Sequence, residues 1–253
     1  MKPYQFYTVT KMPILQPGQC VKKHVQLTFF GEDEDIETKV TMEMERYEAN
    51  FALMRVESSV RHQTFGYIRT FIDSKKRKID FIEYLQPVDF PAYYDKDKQI
   101  IIFQAPKKDC HGVLAHLRDK TCVIELEELK VDFVKLSQIH SEYLGAWFRG
   151  VSSRVQAAGL SGHQIQDDLL FQSLSAVGQL SNVTIPWQFD GVGHSVMITN
   201  MAAIVLVQNY QNNIGFELQL VMDVYDKILK KVWYQKKLDK STSIDKPQSD
   251  SSD

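Results

Sequence analysis

What this sequence has little of narrows its chemistry. Its 253 residues include three cysteines. That odd number, without framework spacing, suits a reducing compartment rather than a disulfide-stapled secreted fold. The longest purely apolar run, MAAIVLV at 201–207, has seven residues, where a membrane helix needs about 20. The amino-terminal stretch MKPYQFYTVTKMPILQPGQC has neither the apolar core nor the small-residue cleavage site of a secretory leader. Positive charge is not in excess either. Thirty Lys and Arg stand against 32 Asp and Glu, a net charge of −2, so any contact with nucleic acid or anionic lipid must be a local patch. No Gly-rich phosphate loop or aromatic RNP-type motif accompanies the cations. The expectation is a cytoplasmic protein without a membrane partner.

A hydrophobic fraction of 43% and a charged fraction of 25% are ordinary for a globular chain able to build its own core. From Lys22 to about Gln104 the runs HVQLTFF, FALMRVE, TFGYIRTFID, KIDFIEYL and QIIIFQA read as short strands separated by polar turns. KKDCHGVLAHLRD then reads as a helix, TCVIELE as a strand and DFVKLSQIHSEYLGAWF as a second helix. After these come a strand near SSRVQAA, a helix from about Gln164 to Val177, three strands (LSNVTIPWQF, HSVMITN, AAIVLVQ) and a long helix from Ile214. The expected fold is α+β: an N-terminal antiparallel β-rich region over 1–130, a mixed α/β region over 131–238 closed by the long helix, and a polar, disordered tail at 239–253.

CHGVLAHLRDKTC, residues 110–122, gathers two cysteines and two histidines and raises the question of a metal. On a helix, Cys110, Val113, Leu114 and Leu117 fall at i, i+3, i+4 and i+7 and form one apolar stripe, so Cys110 belongs to the core. His111 and His116, five apart, point away from each other, whereas paired helical ligands sit four apart. Cys122 alternates with Ile124 and Leu126 as a second buried residue. No metal or cofactor is expected from this stretch. The triplet Glu128, Leu129, Lys130 with upstream Asp119 has the form of a Mg²⁺ nuclease site, two acids for the ion and a lysine for the attacking water. The acid-x-lysine pattern also occurs as ETK at 37–39 and DSK at 73–75, so it carries little information.

Lys75, Lys76, Arg77 and Lys78 are four consecutive cations between strand-like runs. They read either as a phosphate clamp or as a solvated hairpin turn that discourages edge pairing. The opposite extreme is Val155 to Phe216, 62 residues whose charges are Asp167, Asp168 and Asp190 alone. At the chain's average of 25% such a stretch would carry about 15. A buried sheet or a subunit interface uses such a segment. Its titratable groups follow glycines: His163, Asp167 and Asp168 in GLSGHQIQDD, and Asp190 and His194 in DGVGHS. Together they form a candidate acid/base set for a hydrolase. The plainer reading gives helix-start acids and a hairpin turn.

In the last helix, Ile214, Leu218, Val221, Tyr225, Ile228 and Val232 follow the 4-3-4 spacing of a seam. Continued to Lys237 it would be about 36 Å long, so Tyr225, Ile228, Val232 and Trp233 are candidate interface residues. Eight acids between Glu32 and Glu48 contrast with six lysines between Asp226 and Lys240, which suggests that the two regions face each other. The leading functional expectation is a non-enzymatic interaction or regulatory protein that forms a homo-oligomer or binds a protein partner. Alternatives are a metal-dependent nuclease-like or His/Asp hydrolase, and a nucleic-acid-binding module using 75–78.

Overall fold

The structure is a computed structural model in which residues 1–29, 32–72, 75–117, 123–211 and 213–235 are described. Its strands are β1 (Lys2–Lys11), β2 (Cys20–Phe29), β3 (Glu32–Met44), β4 (Ala52–Ile72), β5 (Lys75–Asp95), β6 (Ile100–Phe103), β7 (Glu125–Val131), β8 (Gly145–Arg149), β9 (Ala157–Ser161), β10 (Gln179–Phe189), β11 (Val192–Thr199), β12 (Ala203–Leu206) and β13 (Trp233–Gln235). The helices are α1 (Lys107–Leu117), α2 (Phe133–Ile139), α3 (Leu169–Val177), α4 (Ile214–Val224) and a short α5 (Lys230–Val232).

The α+β expectation, with a mixed second region, is corrected: the chain is mostly antiparallel sheet, 51% strand and 25% helix. One 13-stranded sheet runs in the order β2-β3-β4-β5-β6-β1-β12-β11-β10-β8-β9, with β7 on β1 and β13 on β7. It continues unbroken past Lys130. The joint is β1, which pairs with β6 along one edge and shares its other edge between β12 (at Lys2 to Gln5) and β7 (from Tyr7). A joint strand is covered on both faces. Tyr4 and Phe6 enter one hydrophobic cluster and Tyr7 and Val9 the other, and β6 divides in the same way, Ile100 and Ile102 against Ile101 and Phe103.

Each cluster has its own helical cover. α1 lies over β4 and against β1, β2, β3 and β7 with Cys110, Val113, Leu114 and Leu117 all buried, the stripe its spacing predicts. The fit is close enough that a Cβ at Gly112 would fall 2.1 Å from a Val60 methyl. On the opposite face α4, with Leu218, Leu220, Val221 and Val224 buried, covers β1, β10, β11 and β12, and α3 sets Phe171 against Phe148 of β8. Asn213 caps α4 by accepting from the Phe216 N–H at 3.1 Å. Fully buried Glu217 accepts from Tyr4 Oη at 2.5 Å and Lys2 Nζ at 2.7 Å, tying the helix to the joint strand.

The helical run is shorter than the sequence suggests. After α4 a π-helical turn at Tyr225–Leu229 leads into α5, and the chain then becomes extended as β13 beside β7. Tyr225, Ile228 and Val232 are buried in the chain's own core, and Trp233 is a half-buried strand residue opposite Val131. The apolar seam is thus spent within the chain, a correction to its reading as an interface. The second helix also ends early. Asp132 caps α2 through the Val134 and Lys135 N–H groups, the helix stops at Ile139, and LGAWF instead supplies β8. The tail at 239–253 lies outside the described residues.

Candidate nucleic-acid interface

The short strands expected from 51 to 95 are two continuous strands of 21 residues each, β4 and β5. Their lower halves belong to the sheet body, where β4 pairs with β3 as far as Lys39 opposite Glu57 and β5 pairs with β6 over Ala92 to Asp95. α1 overlies β4 at Val60, and Asp109 faces the buried His62 at 3.6 Å. Beyond this point, among the described pairings, the two strands pair with each other alone, from Gly66 opposite Phe81 to Ile72 opposite Lys75. Seven residues at about 3.3 Å each make this ribbon about 23 Å long.

A bulge sits at its base. Between Gln63 and Gly66 the register shifts by one residue on β4, which bends the strand and exchanges its faces. Below the bulge His62 stacks on Tyr84, with ring centroids 5.3 Å apart. Above it, Tyr67 and Arg69 continue that face opposite Asp80 and Lys78. Lys78 Nζ lies 4.8 Å from the Tyr67 ring centre and 2.9 Å from Asp80, and the Arg69 guanidinium lies 5.6 Å from the same ring. Lys76 and Lys78 share this face by strand alternation, and Lys75 and Arg77 occupy the other. All four, with Arg69 and Tyr67, are exposed. The run 75–78 is therefore not the turn itself but one strand of a ribbon. Sequence inspection missed Arg69 and Tyr67 because only the cross-strand register brings them to it. Lower on the arm, Arg61 pairs with Glu83. Arg55 pairs with Asp89 and holds that carboxyl below its ordinary pKa, chiefly by its hydrogen bonds.

The other sequence candidates are placed as follows. His163, Asp167 and Asp168 line a shallow depression of about 500 Å³ with Ser161 and Gly162. Asp168 is engaged there as the cap of α3, accepting from Leu170 N at 2.7 Å. Asp190 sits with φ 50° at the tip of the β10–β11 hairpin beside Gly191 at φ 72°, the left-handed pair of a tight turn. His194 is buried on β11, its Nδ1 2.9 Å from Tyr210 Oη and its ring among Phe189 and Phe216. Three strand spacings, roughly 14 Å, separate β11 from β9. The five residues thus divide into two groups. Glu128 on β7 faces His111 Nδ1 at 3.2 Å, while Lys130 lies opposite Tyr234. Asp119 and Cys122 lie outside the described residues. His116 is buried on Thr38 and Ser58, at 2.9 and 3.2 Å, so the two helical histidines do diverge. The acidic stretch of β3 finds its partners on β2, the Lys22 ammonium at Glu37 and the His24 ring at Asp35, each at 2.9 Å. Among the described residues no group of three or more His, Cys, Asp or Glu is placed to hold a metal ion, and no helix is long and apolar enough to cross a membrane.

Comparison with protein-family models finds no match, and none of the curated proteins matches the sequence.

Proposed function

We propose that this protein binds nucleic acid through the β4–β5 arm, with duplex DNA as the preferred form. The observation that carries the reading is the set of exposed cations on paired strands, above all Arg69 directly opposite Lys78. Like charges facing each other across a ladder destabilise the pair, a cost that the Lys78–Asp80 contact offsets in part. A polyanion relieves that cost and gains counterion release from each phosphate neutralised. The shape fits as well. Two strands about 4.8 Å apart make a ribbon narrow enough for the roughly 12 Å major groove of B-DNA, whereas the A-form RNA groove is too narrow. Phosphate contacts from Lys75, Lys76, Arg77 and Lys78 would position the ribbon, and Tyr67 offers an aromatic face at its base.

Fluorescence anisotropy with a labelled 20-base-pair duplex and the matching single strand, from 50 to 200 mM salt, tests this reading. Replacing Lys75, Lys76, Arg77 and Lys78 together by Gln removes up to four phosphate contacts. The slope of log Kobs against log salt should then flatten by about 3.6, which shrinks the loss of affinity across that salt range by about 150-fold. An unchanged slope, or no binding of either probe at 50 mM salt, rejects the proposal.

A further inference from the structure

The two ends of the main strand order are guarded unequally. At one end β2 carries Lys22 and Lys23, cations of the kind that discourage edge pairing, followed by His24. At the other end β9 pairs with β8 alone and reads Ala-Ala-Gly-Leu-Ser, without a charge or a proline. By antiparallel alternation, half of its N–H and C=O groups point away from β8. The surface beside it is apolar too. On α3, Leu169 is 79% exposed and Leu170 54%, and Trp147, whose ring covers Gly159, is 45% exposed. Leu170 lines the depression at the end of β9 together with Leu160 and Ser161.

We infer that the β9 edge pairs with the β9 edge of a second copy of this chain, antiparallel across a twofold axis at Gly159. The choice of occupant follows from charge. In that register Ala157 faces the partner's Ser161, Ala158 faces the partner's Leu160 and Gly159 faces the partner's Gly159, so no like charges meet. The same operation on β2 would bring lysines and a histidine together along its edge. An isologous contact needs a self-complementary patch, and of the two ends of the strand order β9 supplies one. The sheet alternation carries Ala158 and Leu160 of each copy onto the side where α3 lies, beside the exposed leucines. The 62-residue segment that contains β9 and α3 is then poor in charge because it flanks a subunit seam as well as the core.

Sedimentation equilibrium of the full chain reads this out. The wild type should sediment at twice its 29.2 kDa chain mass. The Ala157→Glu/Ser161→Glu variant sets two pairs of carboxylates against each other across the axis and should sediment as a monomer with an unchanged circular dichroism spectrum. In Ala157→Glu/Ser161→Lys the same register sets Glu against Lys, and the double-mass species should return. A wild type that is monomeric at about 100 µM, a Glu/Glu variant that stays dimeric, or a Glu/Lys variant that stays monomeric would each overturn the inference. None of these outcomes depends on whether the arm binds nucleic acid.

Discussion

Replacing Gly112 by Ala should destabilise this protein, against the usual sign of that change. In the middle of a helix, Gly to Ala ordinarily gains about 0.5–1 kcal/mol, because the unfolded glycine has more conformations to lose. Gly112 lies in α1, but on the side that meets β4. A Cβ there would sit 2.1 and 2.7 Å from the two Val60 methyls and 2.9 Å from Val60 Cβ. Rotating Val60 about χ1 moves the methyls but leaves the Cβ contact, so the helix itself must lift. Overpacking of this kind costs about 1–3 kcal/mol, which leaves a net loss of about 1–2 kcal/mol.

The partner substitution decides whether this contact is the cause. Val60→Ala opens a cavity under α1 and should by itself cost about 2 kcal/mol. In that background the two methyl contacts are gone and only the 2.9 Å contact with the residue-60 Cβ remains, so Gly112→Ala should cost less than in the wild type, which couples the two sites by about 1 kcal/mol. Urea unfolding followed by far-UV circular dichroism on the four proteins gives the cycle, with the m-value checked for constancy. A Gly112→Ala protein as stable as the wild type, or single changes that add to within about 0.5 kcal/mol, would refute the close approach of α1 to β4. The footing of the arm rests on that approach, since β4 leaves the body just beyond Val60 and His62.

Cys110 is buried, and its surroundings push the thiol pKa up to about 12. Because the thiolate is the reactive form, iodoacetamide at pH 8 should label half-buried Cys20 in the native protein and leave Cys110 unlabelled until denaturant is added, as read by peptide mass spectrometry; rapid native labelling of Cys110 would contradict the packing of α1. Burial also lowers the pKa of His116 below its ordinary value near 6.5, and does the same at His140. The unfolded chain then takes up these protons more readily than the folded one, so stability is full above about pH 6.5 and declines as pH falls below it. His116→Asn, which keeps a polar group against Thr38 and Ser58, should show a shallower decline between pH 7 and 5 than the wild type, and an equal slope would contradict this assignment.

How readable each element is in the sequence follows from how many of its faces are buried. α1 is legible because its buried apolar side chains form one stripe with polar or small residues between them, so the 3.6 period survives in Cys110, Val113, Leu114 and Leu117. β1 is not legible. With Tyr4, Gln5, Phe6 and Tyr7 all buried on a strand covered from both sides, there is no polar alternation to read. The helical spacing from Ile214 correctly marks an apolar stripe, but spacing alone does not say whether the stripe faces another subunit or the same chain. The answer was in the pairing of β13 with β7, a contact about a hundred residues apart in sequence.

The arm was half visible for a related reason. Four cations in a row attract attention, and a run of one charge reads naturally as a solvated turn. Arg55 with Asp89 and Arg61 with Glu83 show what β4 and β5 do instead along most of their length: each exposed cation faces an acid from the neighbouring strand. Above the bulge the pattern changes: Lys78 meets Asp80 on its own strand, while across the ladder it faces Arg69. The departure cannot be seen without the register, because a bulge at Gln63 to Gly66 decides which residues oppose which. The same limit explains the divided acid/base set. GLSGHQIQDD and DGVGHS look alike in composition, yet one begins at a sheet edge and the other spans a hairpin tip three strands away. A glycine-flanked titratable group marks a turn in both places, whereas on the arm it is the cross-strand register that sets Arg69 against Lys78.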